Sequence, residues 1–216
     1  MNGGVPRVRL VLATRNPGKA REIAAIYDHL GIAWQSLADF PEIGELAEAG
    51  LTYAENAAAK ARTVSVASRL PALADDSGVE IDALDGAPGI LSARFLGRSA
   101  TDAERNIRIL SMLQDIPDVR RTARYRAAVA VALPGGSVRV FEGTCEGRIA
   151  RTPRGDMGFG YDPIFVPEGE GRTMAELPAD LKNRISHRAR ALQAAAPYVA
   201  EVLRREGKDR PTKSAK

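Results

Sequence analysis

The 216-residue chain has a single cysteine, Cys145, and two histidines, His29 and His187. One cysteine excludes an intrachain disulfide and a cysteine-based zinc site. With two histidines and no G-x-S-x-G signature, a Ser–His–Asp hydrolase is only weakly supported. Aromatics are scarce: five Phe, five Tyr and one Trp are few for a nucleic-acid stacking platform. No apolar run reaches about 18 residues, so no membrane-spanning helix is expected. The N-terminus enters an apolar run within ten residues and shows no signal-peptide core. Together with the lone thiol, this suits a reducing, cytoplasmic setting. The body also lacks a charge excess. The net charge of +4 comes from residues 204–216, with six basic and two acidic side chains, which leaves 25 of each sign elsewhere. That polar segment, with Pro211, is expected to be a disordered tail, and its ten residues 207–216 to lie outside the domain. A nucleic-acid groove over the fold is not indicated.

What is present can fill a core and cover it: 44% of residues are hydrophobic and 27% charged, enough for one large domain or two small lobes. Val8 to Ala13 reads as a first strand. A helix should follow Asn16-Pro17-Gly18, because Ile23, Ile26, Tyr27 and Leu30 share one helical face, with Gly31 as its cap. Ile32 to Leu37 is a candidate second strand, and residues 38–51 form an acidic loop with Glu42, Glu45 and Glu48. Thr52-x-x-Glu55 and Thr101-x-x-Glu104 are capping-box patterns that open helices to about Arg69 and Gln114. Arg121–Leu133 and Ser137–Ile149 form a long hairpin across Pro134-Gly135-Gly136. A last helix starts near Ile185 and runs to about Arg205; Pro197 should kink or split it. Strands mixed with helices and a hairpin give an α/β fold with a mixed sheet.

Four stretches can carry chemistry. Leu73-Ala74-Asp75-Asp76-Ser77-Gly78 ends an apolar strand in two carboxylates, suited to a hard cation such as Mg²⁺; a plain Asp/Ser/Gly turn is the alternative. Thr14-Arg15-Asn16-Pro17-Gly18-Lys19 joins a strand to a helix N-terminus, where backbone N–H groups and Lys19 favour a phosphate; an ordinary turn would look the same. Gly158-Phe159-Gly160-Tyr161-Asp162-Pro163 can let backbone approach a flat ligand while Phe159 stacks and Asp162 accepts from a ring N–H; a tight loop with a buried Phe also fits. Lys182-Asn183-Arg184-Ile185-Ser186-His187-Arg188 is densely cationic, as solvated helix ends often are. Glu48 can reach a metal beside Asp76, whereas Lys60, in an alanine-lined helix, reads first as a solvated lysine.

The ordered blocks Ala13–Lys19, Asp75–Gly78, Ser92-Ala93-Arg94-Phe95, Gly158–Pro163 and Ser186-His187-Arg188 resemble the inosine triphosphate pyrophosphatase family, also called the Ham1 or RdgB-like family. The likeness runs from about Val8 to Leu203. It implies an elongated mixed sheet with flanking helices forming two lobes around a nucleotide cleft, over residues 1–206 as one domain. It also implies a homodimer and Mg²⁺-dependent hydrolysis of ITP, dITP and XTP to the monophosphate and pyrophosphate, cleansing the nucleotide pool. By motif position, the Thr14, Arg15, Asn16, Pro17, Gly18 and Lys19 segment matches the triphosphate loop, although Arg15 stands where the family varies and takes no individual role. Asp76 matches the metal ligand and general base, Glu48 an acidic-loop metal ligand, Ser77 a substrate contact and Lys60 a phosphate-binding lysine. Phe159, Gly160, Tyr161 and Asp162 match the base-binding loop, and Lys182, His187 and Arg188 the remaining nucleotide contacts.

Overall fold

The computed structural model describes residues 8–208. Its centre is a six-stranded sheet in the order β2-β1-β3-β4-β5-β6. These strands are β1 (Arg9–Leu12), β2 (Ala33–Ser36), β3 (Ala72–Ile81), β4 (Thr122–Ala132), β5 (Val138–Ile149) and β6 (Phe165–Pro167). β1 runs parallel to β2 and β3, and the other pairings are antiparallel, which makes the sheet mixed. The helices are α1 (Pro17–Ile26), α2 (Tyr53–Ser68), α3 (Asp102–Met112), α4 (Ala179–Ile185) and α5 (His187–Lys208).

The near-continuous apolar run of β4 follows from burial on both faces. Ala127, Val129 and Val131 pack with α1 and α5 residues such as Ile23, Leu192 and Val199. The alternate residues Ala128, Ala130 and Ala132 pack with Ala57, Ala61 and Val64 of α2. Towards its N-terminal end, Ala123 and Tyr125 join a third cluster with Ile109 of α3, Ile149 and Phe165. One strand thus supports three cores.

Several expectations change. β3 does not end at its carboxylates: it pairs with β4 from Ala72↔Ala132 through Asp75↔Val129 and Asp76↔Ala128 to Ile81↔Ala123. β1 covers only its start, at Val11↔Ala72 and Leu12↔Leu73. Beyond that point the flank of β3 faces loops, and the site forms there. Gly31, in the left-handed region at φ 61°, caps a single 3₁₀ turn over Asp28–Leu30 and not α1 itself. Thr52 caps α2 by accepting from Glu55 N, but the Glu55 carboxylate returns to Leu51 N, one residue before the cap. Pro197 does not split α5. It is exposed, so the carbonyl left without an N–H partner can meet water, while Ala195, Tyr198 and Val199 anchor both sides in the core. The short α4 and β6 had no clear periodic signal. α5 continues to Lys208, so residues 204–208 of the expected tail are helical; residues 209–216 lie outside the described residues.

Candidate active site

Adjacent strand residues point to opposite faces, and Asp75 and Asp76 do so here. Asp75 faces α1 and α5. Its Oδ1 lies 2.8 Å from Lys19 Nζ and 3.1 Å from Arg188 Nη2. Ser77, two residues on, shares this face: its hydroxyl donates to Asp75 Oδ1 at 3.3 Å and accepts from Arg188 at 3.0 Å. Asp76 faces α2. Its Oδ1 accepts from Lys60 Nζ at 2.7 Å and its Oδ2 from the Asn56 amide at 3.2 Å. The expected pair of neighbouring carboxylates is therefore two half-sites on two sides of a strand.

Glu48 joins the Asp76 half. Lys60 Nζ donates to Glu48 Oε1 at 3.0 Å and to the Asp75 carbonyl at 3.0 Å, and Glu48 Oε2 lies 3.4 Å from Arg94. Lys60 is buried, so the solvated reading is excluded. Burial alone would depress its pKa, but Asp76 and Glu48 outweigh it and raise it. Burial lifts the Asp76 carboxyl above its ordinary value against the pull of Lys60 and Lys19. For Asp75, burial also opposes ionisation, but Arg188 and Lys19 prevail and hold it well below the usual carboxylate range.

On the other side, Lys182 and Arg188 meet at Glu22 of α1. Lys182 Nζ lies 2.7 Å from Glu22 Oε1, and Arg188 Nη1 pairs with Glu22 Oε2. Lys182 also pairs with Asp162 and sits 5.1 Å from the Phe159 ring centroid, with Arg188 5.6 Å from it. His187 stacks on Tyr125, ring centroids 4.4 Å apart, and its Nδ1 is buried without a partner. Burial, reinforced by Arg188, depresses its pKa well below the ordinary value, so it is neutral at pH 7.

The Phe159–Asp162 loop is clamped from α3. Gly160 N donates to Asp102 at 2.7 Å, and Gly160 O accepts from Asn106 at 3.1 Å. The Tyr161 hydroxyl donates to Ser92 O at 2.9 Å, which makes it an anchor of the loop. Asp162 also has partners inside the protein. Oδ1 accepts from Tyr125 at 3.3 Å, and Oδ2 from Phe159 N at 2.9 Å and from Lys182. A carboxylate so occupied holds Lys182 and the loop, and of its four acceptor positions one, on Oδ1, is left.

The Thr14–Lys19 segment is likewise self-capped. Pro17 opens α1, and Asn16 Oδ1 accepts from Gly18 N at 2.8 Å and Lys19 N at 3.1 Å. The helix N–H groups expected to meet phosphate are thus occupied, leaving the Asn16 amide, the Thr14 hydroxyl and Lys19. The Thr14 hydroxyl accepts from Asn16 N at 3.1 Å. Arg15 donates to Ile43 O at 2.8 Å and fastens the acidic loop.

Two cavities adjoin. One, about 170 Å³, is lined by Lys19, Ser77, Phe159, Lys182, His187 and Arg188 among others. The other, about 210 Å³, is lined by Thr14, Lys19, Glu48, Lys60 and Asp75 among others. Asn16, Lys19 and Ala93 border both.

A family model described as the Ham1 family matches residues 10–198. The chain belongs to the Ham1 family. The dITP/XTP pyrophosphatase of Geobacter sulfurreducens is 52% identical over 184 residues, covering 85% of this chain and 92% of that protein. The dITP/XTP pyrophosphatase of Geobacillus kaustophilus is 46% identical over 199 residues, covering 92% and 98%. Among solved structures, a HAM1 protein from Coxiella burnetii superposes with a TM-score of 0.80 at 40% identity, covering 90% of this chain and 99% of that one. A nucleoside-triphosphatase, dITP/XTP pyrophosphatase, from Mycobacterium abscessus gives 0.71 at 45% identity, covering 88% and 100%. The mixed α/β fold with flanking helices is therefore that of the Ham1 proteins.

The structure also adds residues to the candidate site that spacing left unnoticed: Glu22, Asn56, Asp102, Asn106 and Tyr125. Two carried a signal. Glu22 lies three residues after Lys19, and Asn56 four before Lys60, so each shares a helix face with a site lysine. Tyr125 and Asn106 reach the site only through pairing and packing.

Among the described residues no group of three or more His, Cys, Asp or Glu side chains is placed to hold a metal. Mg²⁺ needs fewer, because it takes one or two carboxylates and completes its shell with phosphates and water. Glu48 and Asp76, both within 3.0 Å of the Lys60 ammonium, converge on one cationic point and fit that requirement.

Proposed function

We propose that this protein hydrolyses deaminated, noncanonical purine nucleoside triphosphates (dITP, ITP and XTP) to the monophosphate and pyrophosphate. The observation that carries the reading is the adjoining pair of cavities. One presents an aromatic ring beside cationic donors for a base; the other presents Lys19, Lys60 and the Glu48 carboxylate, which converges with Asp76 on the Lys60 ammonium, for phosphates and a cation. The names of relatives 46% and 52% identical over most of both chains support the same chemistry.

In this reading water attacks the α-phosphorus, the bond to the β-phosphate bridging oxygen breaks, and pyrophosphate leaves. Glu48 and Asp76 would hold Mg²⁺, which when bound neutralises phosphate charge and acidifies water. Asp76 orients the attacking water and takes its proton. Lys19 and Lys60 stabilise the leaving pyrophosphate. The five cations Lys19, Lys60, Arg94, Lys182 and Arg188 are all paired with carboxylates. A polyanionic substrate therefore gains from a cation of its own.

Base choice rests on Lys182. An ammonium has three donors, and Glu22 and Asp162 account for two. The third can serve the O6 acceptor of hypoxanthine or xanthine; adenine offers an amine there. Leaving a buried donor unpaired can cost a factor of roughly 10⁴ or more in selectivity.

The reading extends to one domain over residues 1–206 with two lobes flanking the cleft, to a homodimer, and to a role in cleansing the cytoplasmic nucleotide pool without nucleic-acid or membrane partners. No described helix is long and apolar enough to cross a membrane. Incubation with dITP, ITP, XTP, ATP and GTP, assaying pyrophosphate and orthophosphate separately, tests the activity. Pyrophosphate from the first three is expected; orthophosphate with the diphosphate, or equal turnover of ATP, would defeat it. Sedimentation at micromolar concentration tests the dimer.

A further inference from the structure

Lys60 is buried between two carboxylates that come from different elements. Its Nζ lies 2.7 Å from Asp76 Oδ1 on β3 and 3.0 Å from Glu48 Oε1 on the acidic loop, and it donates to the Asp75 carbonyl at 3.0 Å. An ammonium has three protons, so these acceptors account for all of them. As it stands, Lys60 has none to give a phosphate. Without a cation at this point the two carboxylates would repel across a partly desolvated gap. The flexible lysine stem also has somewhere to go, since the 210 Å³ cavity is lined by Lys60 together with Thr14, Asn16 and Lys19.

We infer that Lys60 is an exchangeable counter-ion: its ammonium holds Glu48 and Asp76 together in the nucleotide-free protein and moves to the phosphates when a divalent cation arrives with nucleotide. The inference rests on the reading that Glu48 and Asp76 hold that cation. Two consequences follow from the competition. A divalent ion alone must displace Lys60, so it binds weakly. Nucleotide draws Lys60 away, so cation and nucleotide strengthen each other's binding by the same factor.

Binding of Mn²⁺ to the full chain, followed by loss of the free-ion EPR signal, separates this from a merely structural lysine. If Lys60 is seated more than nine-tenths of the time, its removal should tighten binding of Mn²⁺ alone by at least about tenfold. Lys60→Met should show that gain, and Lys60→Gln, which keeps a hydrogen-bond donor, should show it too if Lys60→Met does not fold. Lys60→Arg, which keeps the charge, should remain weak. With an α,β-imido analogue of dITP present, the order should reverse, with wild type binding the pair more tightly than either neutral variant. Equal or weaker binding of Mn²⁺ alone by both neutral variants would overturn the exchange. Mn²⁺ binding that Asp76→Asn leaves unchanged would overturn the assignment of the carboxylates, and the exchange with it.

Discussion

Asp76→Asn should keep β3 paired with β4 and yet lower kcat for dITP by at least about 10²-fold, because the amide can neither take the proton nor hold a cation as well. Near-wild-type turnover would remove Asp76 from the chemistry. Asp75→Asn should act otherwise. It removes the carboxylate shared by Lys19 and Arg188, and breaking a buried pair from one side typically costs about 3–5 kcal/mol. Asp76→Asn also cuts a buried contact, but Lys60 keeps Glu48. The Asp76 carboxyl lies above its ordinary pKa, whereas that of Asp75 lies below. Asp75→Asn should therefore melt lower than Asp76→Asn; equal melting of the two would contradict the division between faces. His187 gives a pH dependence. The unfolded chain protonates this imidazole near pH 6.5, whereas burial and Arg188 keep the folded one neutral to lower pH. Below about 6.5 the unfolded state binds the extra proton, so stability is intact above that pH and falls as acid is added, by up to about 1.4 kcal/mol per pH unit. Wild-type melting should drop between about pH 7 and pH 5.5, and His187→Gln should flatten the slope; parallel slopes would show that His187 does not contribute.

At the scale of elements, the site depends on how the 158–162 loop meets the start of α1. A Cβ on Gly18 would lie 2.5 Å from Phe159 Cδ1, inside any real contact. Gly18→Ala should favour the helix by about 0.5–1 kcal/mol while pushing the Phe159 ring aside. A rise in KM for dITP of about tenfold, with the melting temperature nearly unchanged, is expected if the ring stacks on the base with the ~1–3 kcal/mol usual for such contacts. Unchanged KM would show that the ring does not stack there. The helix starts of this region were legible in the residues: Asn16, Thr52 and Thr101 all cap their helices, although only Thr101 closes the full box with its glutamate. The end of β3 was misread because Asp-Asp-Ser-Gly is turn chemistry locally, and only pairing with β4 overrides it.

For the molecule as a whole, β4 ties the three cores together: alternate residues of its second half enter two of them and its first half enters the third. Calorimetry should therefore show one cooperative transition, with calorimetric and van't Hoff enthalpies equal. Two resolved transitions would mean that the ends of the sheet melt independently. Removing residues 209–216, beyond α5 and beyond the Ham1 match at residue 198, should leave kcat/KM for dITP unchanged within about twofold. A large loss would give that basic segment a part in the reaction.

By itself the sequence determined the inventory: five ordered motifs, the capped helices, the apolar strands and a neutral body. Those are local properties, carried by residue type and by periods of two and 3.6. Tertiary structure decided which charges meet. Arg188 pairs with Glu22 across 166 positions and with Asp75 across 113, and no local pattern encodes such distances. The sheet also separated Asp75 from Asp76, because consecutive strand side chains leave on opposite faces. The same geometry buried Lys60 between Glu48 and Asp76 and occupied Asp162 with the protein's own donors. A lone lysine in an alanine-rich helix looks solvated until the strand beneath it supplies a carboxylate.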